Sequence, residues 1–172
     1  MNAKPYKVLF VCTGNLCRSP MAAGILRIQL TKRRAPAIEV SSAGIMASEG
    51  REAEPLAVSI ARHNGVDLSH HRSAMLTRGL LESADLILTM ERMQLQYVRG
   101  MIPHQKDKVH LLRAFGRRSV EQGDVDDPMS RDVEAYEDCF ATLQMEIARI
   151  LPHIIRRATQ KKEAAAGRTE KK

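Results

Sequence analysis

The chain has 172 residues, 44% of them hydrophobic and 27% charged, with three cysteines and a formal net charge of +7. That length and balance predict one soluble globular domain with a sizeable core, and no apolar run approaches the ~20 residues needed to span a bilayer. The odd cysteine count argues against a secreted disulfide framework, and MNAKPYKVLFVC lacks a long h-region or cleavage site, so a cytoplasmic protein is expected.

The positive charge is concentrated at one end. Residues Arg156 to Lys172 hold seven Lys/Arg and two Glu, which is +5 of the +7. There are three Tyr, three Phe and no Trp, so the basic-aromatic interleaving that stacks nucleobases is missing. KKEAAAGRTEKK reads as a solvated basic tail. The division expected is a domain over 1–158 and a disordered tail over 159–172, with no nucleic-acid or membrane partner and a monomer or weak dimer.

KVLFVC (7–12) is an apolar, β-branched run bounded by Pro5 and Gly14, which predicts a buried parallel strand. From Ser19 the pattern turns helical through Met21, Ile25, Ile28 and Leu30, with Pro20 at the first helical position, where a missing N–H costs nothing. IEVSSAG (38–44) predicts a second strand ending in small residues. Ala53 to Asn64 predicts a helix with Leu56, Ile60 and His63 on one face and Gly65 as its stop.

Thr77 to Ser83 is a short helix leading into ADLILTM (84–90), the third strand. Glu91 to Gly100 is helical, KVHLL (108–112) is the fourth strand, and Phe115 to Met129 is irregular. Val133 to about Ala158 forms a long helix whose apolar stripe is Tyr136, Phe140, Leu143, Ile147, Ile150 and Leu151, with Pro152 as its kink or end. Strands alternating with helices predict an α/β fold: a single-domain, doubly wound sheet of about four parallel strands with helices on both faces. Ligands in such sheets bind at the carboxyl ends of the strands, and Cys12 sits at one.

The loop Cys12-Thr13-Gly14-Asn15-Leu16-Cys17-Arg18-Ser19 joins the first strand to the first helix. Gly14 is expected to let the backbone curl so that successive N–H groups face a common centre, next to the free donors of the helix N-terminus, forming an oxyanion cradle. Arg18 adds a planar fork able to grip a phosphoryl group with two hydrogen bonds. A thiol at the floor of this cradle sees positive potential from every side, which favours the nucleophilic thiolate, and Ser19 is placed to donate its hydroxyl to it. The competing reading is a buried structural Cys12, alone or bridged to Cys17. A metal site is disfavoured because the spacing is not CxxC and no second Cys/His pair follows.

VCTGNLCRSPMA resembles the phosphate-binding loop of the low-molecular-weight protein tyrosine phosphatases, a C-x5-R-S/T motif near the N-terminus. The similarity extends from Lys7 to about Ile155 and includes SSAG (41–44), GVDLSHHRS (65–73), ADLILTM and VDDP (125–128). It implies hydrolysis of a phosphorylated protein, in the first instance at phosphotyrosine, through a cysteinyl-phosphate intermediate and with no cofactor or metal. Cys12 becomes the nucleophile and Arg18 the phosphate clamp. Thr13, Gly14, Asn15, Leu16, Cys17 and Ser19 line the substrate site.

The resemblance further implies that Asp127, of the only Asp-Pro pair in the chain, serves as general acid and then base. GDVDDPMS also suits a plain turn with Asp as a cap, and Asp126 competes for the role, although proline's restriction of its neighbour favours Asp127. Asn15 holds the loop, with Ser42 and His71 as supporting partners and His70 as the rival to His71. Cys17 matches a second loop cysteine that captures the oxidised nucleophile as a reversible disulfide.

The pattern departs from the family in its aromatics. Tyrosine-directed members flank the pocket with rings where this chain has Met129 and IMASEG (45–50). Among relatives, arginine-phosphate phosphatases carry Thr at the place of Leu16. Thioredoxin-coupled arsenate reductases need two further cysteines, and only Cys139 remains. A non-catalytic phosphate-binding or redox-sensing module is the alternative of another class, and it sits poorly with a complete set of nucleophile, arginine and acid.

Overall fold

The computed structural model describes residues 4–117 and 123–169. Four strands form one parallel sheet in the order β2-β1-β3-β4. β1 (Tyr6–Cys12) is central and is flanked by β2 (Ile38–Gly44) and β3 (Leu86–Thr89), while β4 (Val109–Leu111) pairs with β3. The register sets Cys12 opposite Gly44 and Val11 opposite Thr89, so the carboxyl ends of three strands meet at one edge.

β1 divides the core by alternation. Val8, Phe10 and Cys12 face α1 (Arg18–Lys32), α2 (Pro55–His63) and α5 (Val133–Thr169), whereas Leu9 and Val11 face α3 (Arg78–Ser83) and α4 (Arg92–Met101). This is the two-sided burial that a continuous apolar strand demands. The predicted architecture of about four parallel strands covered on both faces is the one observed.

Several local expectations are corrected. Pro20 is the third residue of α1, not the first; the first intrahelical bond is Met21 N–H to the Cys17 carbonyl (3.1 Å), so the proline still removes no donor. α2 begins at Pro55 and buries Ala57, Ile60 and Ala61, leaving His63 exposed. A 3-10 turn over Pro103–Lys108 shortens the fourth strand to three residues. Part of the irregular stretch expected over 115–129, residues 118–122, lies outside the described residues.

The largest correction is at the C-terminus. α5 runs 37 residues through Pro152 to Thr169, so 159–169 continue the helix where a disordered tail was expected, and 170–172 lie outside the described residues. The buried stripe continues on both sides of the proline, with Leu143, Ile147, Ile150, Leu151, Ile154 and Ala158 all buried. That burial offsets the ~3 kcal/mol cost of an internal proline. Lys161 then ties the next turn to Asp85 (2.6 Å) and to the Pro5 carbonyl (3.2 Å). Lys, Glu and Ala, strong helix formers, carry the helix onward.

Candidate active site

The loop between β1 and α1 is built around Asn15 rather than Gly14. Asn15 takes a left-handed φ of 56° and is fully buried, while Gly14 has no positive φ. A non-glycine residue in that region must be held there, and every polar group of Asn15 is engaged. Its N–H donates to Cys12 Sγ (3.2 Å), its Nδ2 to Ser19 Oγ (2.8 Å) and Ser42 Oγ (2.9 Å), and its Oδ1 accepts from Ala74 N–H (2.9 Å). Its carbonyl accepts from His71 Nε2 (2.8 Å).

The expected partners Ser42 and His71 are therefore brought together, and His70 is not part of this network: it lines an open polar cleft with Arg27 and Arg72. Because Nε2 faces a carbonyl, it carries the proton. Burial holds the His71 ring below the ordinary histidine range, opposed in part by that hydrogen bond and reinforced by Arg27 and Arg72. Gly44 explains the small residues ending β2. A Cβ there would lie 2.5 Å from the Thr13 carbonyl oxygen and 2.9 Å from Asn15 N, so only glycine lets the loop seat against the strand.

Cys12 Sγ lies 2.9 Å from Ser19 Oγ. That oxygen already accepts from Asn15, which leaves the hydroxyl proton for the sulfur. The nucleophile candidate thus has two donors and is buried at the strand end. Leu16, also buried, passes its carbonyl to the Glu54 N–H at the start of α2 (3.0 Å).

Arg18 is almost fully buried, at 2% exposure, and its guanidinium is shared between two carboxylates. One nitrogen donates to Glu91 and to the Val125 carbonyl (3.0 Å), the other to Asp127 Oδ2 (2.5 Å). Asp127 Oδ1 also accepts from Met129 N–H (3.1 Å), so the turn reading and the site reading of the Asp-Pro pair are both realised. Asp126 is exposed and lines a small separate cleft with Arg113 and Arg131. The acid-bearing segment is pinned to the site by Val125 N–H to the Met90 carbonyl (2.8 Å) and Arg92 N–H to Asp124 (2.9 Å).

Sequence reasoning missed Glu91 and Gln94. Gln94 is fully buried in the first turn of α4. Its Oε1 accepts from Met90 and Glu91 N–H (3.0 and 3.1 Å), and its Nε2 donates to Glu91 Oε1 (3.0 Å) and Thr13 Oγ1 (3.1 Å). The Glu91 carboxylate completes a capping box with it. The E-x-x-Q spacing at a helix start was the available signal; its service to Arg18 was not readable from it.

Cys17 is buried with Sγ 3.6 Å from the Tyr136 hydroxyl, and burial pushes its thiol up to about 12. Cys139 is likewise buried, and burial raises it to about 12. All three cysteines are free thiols. Met129 is half-buried against the core, while Met46 is 72% exposed, joined to the loop through its N–H to the Thr13 carbonyl (2.9 Å). Among the described residues no group of three or more His, Cys, Asp or Glu side chains is placed to hold a metal ion.

Comparison with known proteins places the whole chain rather than single residues. The sequence profile described as "Low molecular weight phosphotyrosine protein phosphatase" matches residues 7–164. The chain is 38% identical over 147 residues to the probable low molecular weight protein-tyrosine-phosphatase EpsP of Ralstonia nicotianae, covering 86% of this chain and 94% of that protein. It is 36% identical over 146 residues to a protein-arginine-phosphatase of Geobacillus stearothermophilus, covering 85% and 94%. The crystal structure of a low molecular weight protein tyrosine phosphatase from T. tengcongensis superposes with a TM-score of 0.80 at 35% identity, covering 86% of this chain and 99% of that one. A strand-end cysteine, a buried arginine and a strained asparagine loop, with this similarity along nearly the whole chain, lead to one conclusion: the chain belongs to the low molecular weight phosphotyrosine protein phosphatase family.

Proposed function

We propose that the protein hydrolyses phosphotyrosine in proteins, with Cys12 as nucleophile, Arg18 as phosphate clamp and Asp127 as acid and base. The observation that carries this reading is the placement of Cys12 Sγ under two donors, Asn15 N–H and Ser19 Oγ, with the Arg18 fork joined to Asp127. In the first step the Cys12 thiolate attacks phosphorus and the bond to the tyrosyl oxygen breaks, while Asp127 gives that oxygen its proton. In the second, Asp127 takes a proton from water as the water attacks the cysteinyl phosphate, releasing phosphate and the thiolate. Ser19 steadies that thiolate as it leaves. Loop N–H groups and Arg18 hold the three equatorial oxygens throughout. Asp127 accepts from one nitrogen of the fork, which holds the acid beside the phosphate clamp.

Phosphotyrosine is preferred over phosphoarginine because the pocket residue is the aliphatic Leu16. Similarity to a protein-arginine-phosphatase keeps the second substrate in the test. Peptides bearing phosphotyrosine, phosphoarginine or phosphoserine are compared as substrates for wild type and Cys12→Ser. The expected order puts phosphotyrosine first, with turnover lost in the variant because a hydroxyl in the same cradle is far less ionised. Retained activity in Cys12→Ser overturns the covalent route, and faster release from phosphoarginine overturns the substrate assignment.

A further inference from the structure

A second cleft lies at the opposite end of the sheet from Cys12. Its volume is about 440 Å³, within the ~300–1,000 Å³ range of ligand pockets. Pro5, Pro36, Ala37 and Ala158 wall it beside the nearly buried Tyr6, and the charged residues lining it are Lys4 and Lys162. Tyr6 begins β1 and Cys12 ends it, so the two sites are about 20 Å apart at ~3.3 Å per residue. The helical course of 159–169 creates the cleft, since a solvated tail would not fix Lys162 across from Lys4.

Part of the charge at this end has no ion-pair partner among the described residues. Lys161 is committed to Asp85, and Lys7 to Glu39. Lys4 and Lys162 have no ion pair among the described residues, nor have Arg33 and Arg34, which are exposed on the segment leading into Pro36. The exposed Glu163 is the nearest carboxylate along the helix that is not paired.

We infer that this cleft is a docking site for an acidic polypeptide segment, one that seats a small or branched apolar residue between the prolines and sets carboxylates against Lys4 and Lys162. A bilayer fits less well. Membrane-surface binding needs large apolar side chains to insert, and among the described residues the exposed large hydrophobics, Met46, Met75, Met93, Tyr97, Val133 and Met145, lie away from the cleft lining. Nucleic acid fits less well still, because Tyr6, the one ring present, is 6% exposed and presents no stacking face.

The test is fluorescence anisotropy of a labelled peptide of alternating Glu and Leu, titrated with the full chain. Saturable binding that weakens at least about tenfold between roughly 0.05 and 0.5 M salt is expected. Lys4→Glu combined with Lys162→Glu should abolish it. Ala37→Trp, which fills the cleft without touching a charge, should weaken it about tenfold or more, with melting temperatures reporting that both variants fold. Absence of binding, equal binding to wild type and either variant, or preference for vesicles rich in anionic phospholipid over the peptide overturns the proposal.

Discussion

Gln94 donates its Nε2–H to Thr13 Oγ1 at 3.1 Å and so ties the first turn of α4 to the residue that follows Cys12. The same amide supports Glu91, which receives the buried Arg18 guanidinium. A neutral, fully buried side chain thus sets the position of both the loop and the clamp.

Glu91→Gln should keep the fold and lower kcat about 10–100-fold, the equivalent of the ~1.5–3 kcal/mol of a hydrogen bond to a charged group. Gln94→Leu should cost more stability than activity, because it strands the N–H groups of Met90 and Glu91 in the interior at ~1–3 kcal/mol for an unsatisfied group. Urea midpoints and steady-state kinetics on an aryl phosphate separate the two. Wild-type kcat in Glu91→Gln would mean that Arg18 needs no second carboxylate.

Asp127→Asn should slow hydrolysis of esters with poor leaving groups by about 10²–10⁴-fold, and of activated aryl phosphates much less, since only the former need a proton in the transition state. Asp126→Asn should stay within about twofold of wild type, as an exposed surface substitution does. A leaving-group series measured for both variants checks this. The reverse outcome shifts the acid by one residue.

Oxidation tests whether Cys17 guards Cys12. Peroxide converts the Cys12 thiolate to a sulfenic acid, and attack by the Cys17 thiolate forms the disulfide and expels hydroxide, which takes a proton from solvent to become water. With the Cys17 thiol raised to about 12 by burial, its thiolate fraction rises about tenfold per pH unit through the neutral range. Closure should accelerate by the same factor from about pH 7 to 9. Cys17→Ser should keep phosphatase activity yet fail to recover with a dithiol. Full recovery of that variant would leave Cys17 as a filler of the loop.

His71 gives a pH signature in stability. Its folded value is held below the ordinary 6.5 by burial, so between the two values the unfolded chain binds a proton that the folded chain does not. Its contribution is intact above about pH 6.5 and is lost as pH falls below it, at up to ~1.4 kcal/mol per pH unit. His71→Gln keeps a donor for the Asn15 carbonyl and removes that dependence. Urea midpoints of the two proteins should therefore converge on acidification. Parallel curves would mean that His71 titrates no differently on folding.

The strand–loop–helix unit with Cys12 and Arg18 was legible in the sequence, because it rests on local chemistry: an apolar run, a helix start, and a cysteine and arginine six residues apart. The bounds of β2 and the short helix ending at Ser83 were legible for the same reason. Tertiary structure decided what depends on distant partners. Asn15 and not Gly14 carries the strained φ, because Ser42, His71 and Ala74 arrive from 27, 56 and 59 residues away to hold it. Asp127, which the sequence already favoured over Asp126, meets Arg18 across 109 residues, and the unforeseen Glu91 meets it across 73. Residues 159–169 are helix and not a loose tail, because Asp85 and the buried stripe beyond Pro152 reward continuation. Composition reports the cost of ordering such a segment, and only the folded neighbours supply the contacts that offset it.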